Sequence, residues 1–113
     1  MKPKLIFIGG PPGVGKSSVA RELCRHLENS VRVEGDELWR MNPFTVDERT
    51  IPMVERNICF VLRSFLETGF SYIILTWVLH QNEIEQSLLD GIGNHDFDFR
   101  HFTLLRDKDT LMD

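Results

Sequence analysis

The sequence predicts an α/β protein: a parallel sheet of four strands in a three-layer sandwich, with helices on both sides. Three observations predict it. Short, nearly unbroken apolar runs recur along the chain, as in strands buried on both faces. Between them lie stretches whose apolar residues repeat at helical spacing. A segment dense in glycine and proline joins the first run to the first such stretch.

The first strand is Lys4-Leu5-Ile6-Phe7-Ile8, stopped by Gly9-Gly10. Val19, Ala20, Leu23, Cys24 and Leu27 then share one face of a helix from Lys16 to Glu28, with Arg21, Glu22 and Arg25 on the other. Val31 to Glu34 is the second strand, closed by Gly35-Asp36, and Met41-Asn42-Pro43-Phe44 is a loop. A long amphipathic helix is expected from Asp47 to Thr68 on Met53, Val54, Ile58, Val61, Leu62, Phe65 and Leu66. Gly69 ends it, and Pro52 requires that it begin nearby. Tyr72 to Thr76, rich in β-branched and aromatic residues, is the third strand. Ile84, Leu88, Leu89 and Ile92 define a helix over Asn82 to Ile92, Phe99 to Leu105 a fourth strand, and Asp107 to Asp113 the first turn of another helix. The alternation of strand and helix requires parallel pairing with crossovers.

The segment Gly10-Pro11-Pro12-Gly13-Val14-Gly15-Lys16-Ser17 matches the phosphate-loop pattern G-x-x-x-x-G-K-[ST]. Its glycines let the backbone curl so that N–H groups point inward, Lys16 adds a cation for the β and γ phosphates, and the Ser17 hydroxyl suits Mg²⁺. The helix that starts here adds its positive end. The pattern requires a strand before and a helix after, and this sequence supplies both. A bare turn of about 2–6 residues would not need so much glycine and proline. The expected phosphate-binding set is Gly10, Pro11, Pro12, Gly13, Val14, Gly15, Lys16, Ser17 and Ser18, with ATP and Mg²⁺ as cofactors.

On this loop and on Val33-Glu34-Gly35-Asp36-Glu37-Leu38-Trp39, the chain resembles the P-loop small-molecule kinases, a group including gluconate, shikimate and chloramphenicol kinases. The resemblance covers essentially the whole chain. It implies a P-loop NTPase sandwich, with the first strand in the middle of the sheet, and transfer of phosphate from ATP to a hydroxyl of a small acceptor. It places Asp36 at the end of the second strand as catalytic base or metal-associated group, beside Lys16 as the second catalytic residue. From the residues alone, Asp36 also reads as the N-cap of a short segment Glu37 to Arg40. Trp39 and Arg40 either line the acceptor site or serve the structure; Trp77 either stacks on an acceptor or packs. His80 is a candidate polar contact. Arg49, Arg56 and Arg63 share a face of the long helix, and the group's layout makes Arg56 the one nearest the cleft, a candidate anion contact.

Departures from the resemblance shape its expectations. Tyr72 to Leu75 is followed by Thr76-Trp77 rather than by the Asp of a Walker B strand, leaving Ser17 and Asp36 as the magnesium ligands. The Asp-Gly-x-Pro-Arg run of nucleoside monophosphate kinases is missing. Such kinases continue past a segment like Leu104 to Leu111 into an arginine-bearing lid and a last strand. The resemblance therefore implies a single domain, 1–113, that is C-terminally incomplete, binds nucleotide better than it turns over, and pairs with a second copy through an open sheet edge.

Composition narrows the partners. The chain has 113 residues, 42% hydrophobic and 27% charged, with no run near the roughly 20 apolar residues of a membrane span. Its net charge of −4 is spread in mixed sign, which argues against a nucleic-acid footprint. Lys2 and Lys4 precede an apolar run too short for a signal peptide, so a soluble, cytoplasmic protein is expected. Cys24 and Cys59 lack metal or redox spacing and read as buried free thiols. Two rival functions stay open: a kinase acting on nucleic-acid ends, and a nucleotide-binding protein without turnover.

Overall fold

The structure, a computed structural model, describes residues 2–77 and 82–105. Expectations for His80 and for the helical turn after Asp107 fall outside those residues. Four strands form one parallel sheet: β1 (Lys4–Gly9), β2 (Ser30–Glu34), β3 (Tyr72–Thr76) and β4 (Asp98–Thr103), in the order β2-β3-β1-β4. The helices are α1 (Lys16–His26), α2 (Thr50–Thr68) and α3 (Asn82–Ile92), and a 3₁₀ turn over Gly35–Trp39 follows β2.

Alternation along β1 divides the core. Leu5 and Phe7 point to one face, where Val54, Ile58 and Leu62 of α2 and Leu88 and Ile92 of α3 cover them. Ile6 and Ile8 point to the other, against Ala20 of α1. The two layers require β1 and β3 to be apolar at every position, and these central strands are nearly so. The edges are less demanding. β4 leaves Phe102 54% exposed, and Leu105 just beyond it is 80% exposed.

Element boundaries shift from the sequence reading for local reasons. The long helix begins at Thr50 rather than Asp47, with Arg49 as its N-cap, because Asp47 turns back to bind the N–H groups at its start. Asp47 Oδ1 accepts from the N–H groups of Arg49 and Thr50, both at 2.9 Å, and Thr50 Oγ1 accepts from the Asp47 N–H in return. Pro52 thus falls in the first turn, where its missing N–H costs nothing. Gly69, with φ of 99°, ends the helix as expected. Cys59 is buried and Cys24 half-buried, both as free thiols; burial pushes the Cys59 thiol up.

Because α1 covers one face and α2 and α3 the other, the connections leaving β1 and β3 diverge to opposite sides of the sheet. Such a divergence opens a crevice at the carboxyl ends of the strands. The register lines up Ile8 and Glu34 with Thr76, and Gly9 with Thr103, so every strand ends along that one rim.

Candidate functional site

The phosphate-loop sequence curls over this rim. Gly10 is buried with φ of +143°, and a Cβ there would stand 2.6 Å from the Leu104 carbonyl oxygen, so both conformation and space demand glycine. Leu104 closes the contact by donating its N–H to Gly9 O at 2.9 Å. At the other end of the loop Gly15 caps α1 with φ of 103°, in the left-handed region, and no side chain caps the helix. The first bond of the helix runs from Val19 N–H to Gly15 O at 3.0 Å. The amides of Lys16, Ser17 and Ser18 therefore have no acceptor within the helix, and such a helix start favours an anion. Lys16 Nζ reaches back along the loop and donates to Gly10 O at 2.8 Å and Pro11 O at 3.0 Å, putting its charge over the loop.

One residue here escaped the sequence reading. Glu34, the last residue of β2, lies beside Ser17, whose hydroxyl holds the Glu34 carboxyl below the usual carboxylate range. Burial acts the other way, and Glu37, Arg32 and Arg21 add to the lowering. Arg32 lies 3.7 Å from it. Its only sequence signal was its place at the end of a strand, immediately before a glycine. The register puts Glu34 opposite Thr76, the position where a Walker B acid would stand. The carboxylate at this rim thus comes from β2 in place of β3. Among the described residues no group of three or more His, Cys, Asp or Glu could hold a metal. A hydroxyl and a carboxylate are hard oxygen donors, and they fit Mg²⁺, which binds few protein ligands and several phosphate or water oxygens.

Asp36 lies inside the 3₁₀ turn, whose N-cap is Glu34, so it is not the cap that its sequence also allowed. It is exposed and lines a small cavity with Trp39, Phe44 and Val46. Arg40 follows as the exposed C-cap of the turn. Trp77 is 8% exposed and belongs to the core; its ring lies over Gly35, so it packs beneath the turn that carries Asp36. The resemblance made Arg56 a candidate anion contact near the cleft. It lines a cavity of about 490 Å³ between α2 and α3, with Glu55, Phe60, Arg63 and Ser87, and no residue of the phosphate loop takes part. Arg63 there donates to the Gly91 carbonyl at 2.6 Å, near the C-terminus of α3.

The sheet order, the glycine loop and the helix that opens from it define a P-loop kinase-like fold. The AAA domain family matches residues 5–113, and the chain belongs to that family. Solved structures agree on the fold. The chain is similar to one in the structure of a Pnkp1/Rnl/Hen1 complex, with 24% identity and a TM-score of 0.68 over 98% of this chain and 38% of that one. It is similar to the Deinococcus radiodurans tunicamycin resistance protein, with 23% identity and a TM-score of 0.68 over 91% and 62%. A gluconokinase from Sinorhizobium meliloti 1021 gives 14% identity and a TM-score of 0.68 over 97% and 61%. This chain therefore spans less than two thirds of each of these proteins. Comparison of the sequence with curated proteins gives no match. No helix among the described residues is long and apolar enough to cross a membrane.

Proposed function

We propose that this chain is the nucleotide-binding part of an ATP-dependent kinase that phosphorylates a hydroxyl of a small acceptor. The observation that carries the reading is the loop itself: a left-handed Gly15 opens α1 with three free amides and Lys16 turned over the same opening. In this reading the amides and Lys16 hold the β and γ phosphates. Ser17 supplies a ligand for Mg²⁺ and Glu34 orients that ligand. When bound, the ion neutralises charge on the phosphate oxygens.

The acceptor enters from the side of the 3₁₀ turn. Its hydroxyl oxygen forms a bond to the γ-phosphorus while the bond from that phosphorus to the β,γ-bridging oxygen breaks, and ADP leaves with the electron pair. The hydroxyl proton passes to Asp36, a carboxylate at the mouth of the acceptor cavity. The test is ADP formation with the full chain, Mg²⁺ and a panel of sugars, nucleosides and oligonucleotides. Acceptor-dependent ADP release supports the reading, and release that no acceptor stimulates contradicts it.

A second reading, nucleotide binding without turnover, is favoured by Thr76 in place of the Walker B acid. A third, a kinase of nucleic-acid ends, is favoured by the likeness to a chain of a complex whose other structure is described as an RNA repair complex. The same panel separates them: no transfer at all supports the second, and transfer only to 5′-hydroxyl oligonucleotides supports the third.

A further inference from the structure

Beyond the 3₁₀ turn lies a cavity of about 270 Å³ lined by Asp36, Trp39, Phe44 and Val46. The Trp39 and Phe44 rings are 6.1 Å apart between centroids and tilted by 58°. Phe44 is 67% and Val46 56% exposed, although both are large apolar side chains in the loop leading to α2. This apolar surface adjoins the phosphate end of the site. Asp36 is two residues beyond Glu34, so its Cα lies within about 7 Å of the residue that stands beside Ser17.

We propose that the acceptor is an uncharged alcohol with a flat apolar or aromatic ring, seated against Trp39 and Phe44 with its hydroxyl toward Asp36; the assignment rests on the kinase reading above. Charge decides between acceptor classes. The one charged group among the described lining residues is a carboxylate, and no cation accompanies it. A sugar acid or a phosphorylated acceptor would bring a second negative charge beside Asp36 with nothing among the described lining residues to offset it. A hydroxyl instead donates a hydrogen bond to that carboxylate and is held where its proton can be taken. Shape decides the rest. Aromatic rings attract one another in offset or edge-to-face arrangements, so the exposed Phe44 ring beside Trp39 offers a surface on which a ring of the acceptor can pack. The volume is just below the range of about 300–1,000 Å³ usual for small-molecule sites, so it suits one ring and its hydroxyl arm better than a length of polymer.

The test titrates thymidine and benzyl alcohol into the full chain with ADP and Mg²⁺ present, alongside gluconate and a 5′-hydroxyl oligothymidylate, by calorimetry. Saturable binding of the two neutral ring alcohols is expected, with none of gluconate. Phe44→Ala, at a side chain too exposed to hold the fold together, should weaken thymidine roughly tenfold, and Trp39→Leu should do the same. ADP affinity, measured on the same samples, should stay within about twofold. The proposal is overturned if ADP binds but neither neutral alcohol does, if Phe44→Ala leaves thymidine unchanged, or if gluconate or the oligonucleotide binds tenfold tighter than thymidine. Loss of ADP binding in the wild-type chain would bring down the kinase reading instead, and the acceptor assignment with it.

Discussion

Replacing Gly35 with alanine should be among the most disruptive single-methyl changes in this protein. Gly35 is the buried first residue of the turn that carries Asp36, directly after β2, and the indole of Trp77 lies across it. An added Cβ would stand 2.5 Å from Cγ, 2.8 Å from Cδ1 and 2.9 Å from Cδ2 of that ring. Carbon atoms rest at about 3.5–4.0 Å, so the ring must retreat by roughly 1 Å. It has nowhere to go, since Trp77 is 8% exposed and packed within the larger core cluster. Overpacking of this kind costs about 1–3 kcal/mol. We expect about 2 kcal/mol and a melting temperature lower by roughly 10 °C, read by circular dichroism. Trp77→Leu should remove the clash, so the double variant should be more stable than the sum of the single effects by about 1–2 kcal/mol. A Gly35→Ala protein within about 0.5 kcal/mol of wild type, or strict additivity in the cycle, would refute the packing of Trp77 on Gly35.

Other perturbations address the site directly. Glu34→Gln should reduce the gain in nucleotide affinity that Mg²⁺ gives by several-fold while leaving metal-free binding nearly unchanged, as calorimetry with and without the ion will tell; equal Mg²⁺ dependence in both proteins would exclude Glu34 from the metal site. Asp36→Asn should keep ATP affinity near wild type and cut transfer to the best acceptor by about 10²–10⁴-fold, because an amide cannot take the hydroxyl proton; transfer within a few-fold of wild type would remove Asp36 from that role. The Glu34 and Asp47 carboxyls are held below their ordinary values of 4.5 and 3.8, Glu34 by the Ser17 hydroxyl and Asp47 by the N–H groups of Thr50 and Arg49. The charged forms are thus favoured in the folded chain, and their contribution is complete above those ordinary values and lost as pH falls through the lowered ones. Stability should hold level from pH 7 to about 5 and drop below about 4.5, less steeply in Glu34→Gln and Asp47→Asn, as urea titrations at each pH would measure.

The parts of this fold that were legible in the sequence are those that local rules govern. Leu5 to Ile8 and Ile73 to Leu75 read as doubly buried strands because a central parallel strand needs apolar side chains on both faces. The backbone of the glycine loop was legible because the spacing of its glycines marks where φ turns positive, at Gly10, Gly13 and Gly15. What the sequence left hidden depends on contacts across the fold. Glu34 gains its place beside Ser17 from the packing of α1 against β2, and its match with Thr76 from strand register. Trp39 and Phe44 meet across the four residues of irregular chain between them.

The central claim is that the loop from Gly10 to Ser18 binds nucleotide phosphates. Calorimetry of ATP with the wild-type chain and with Lys16→Ala tests it most directly. A charge-assisted contact of this kind is worth about 1.5–3 kcal/mol, so affinity should fall roughly 10- to 100-fold while the melting temperature without ligand barely moves. Equal ATP affinity in the two proteins would contradict the account.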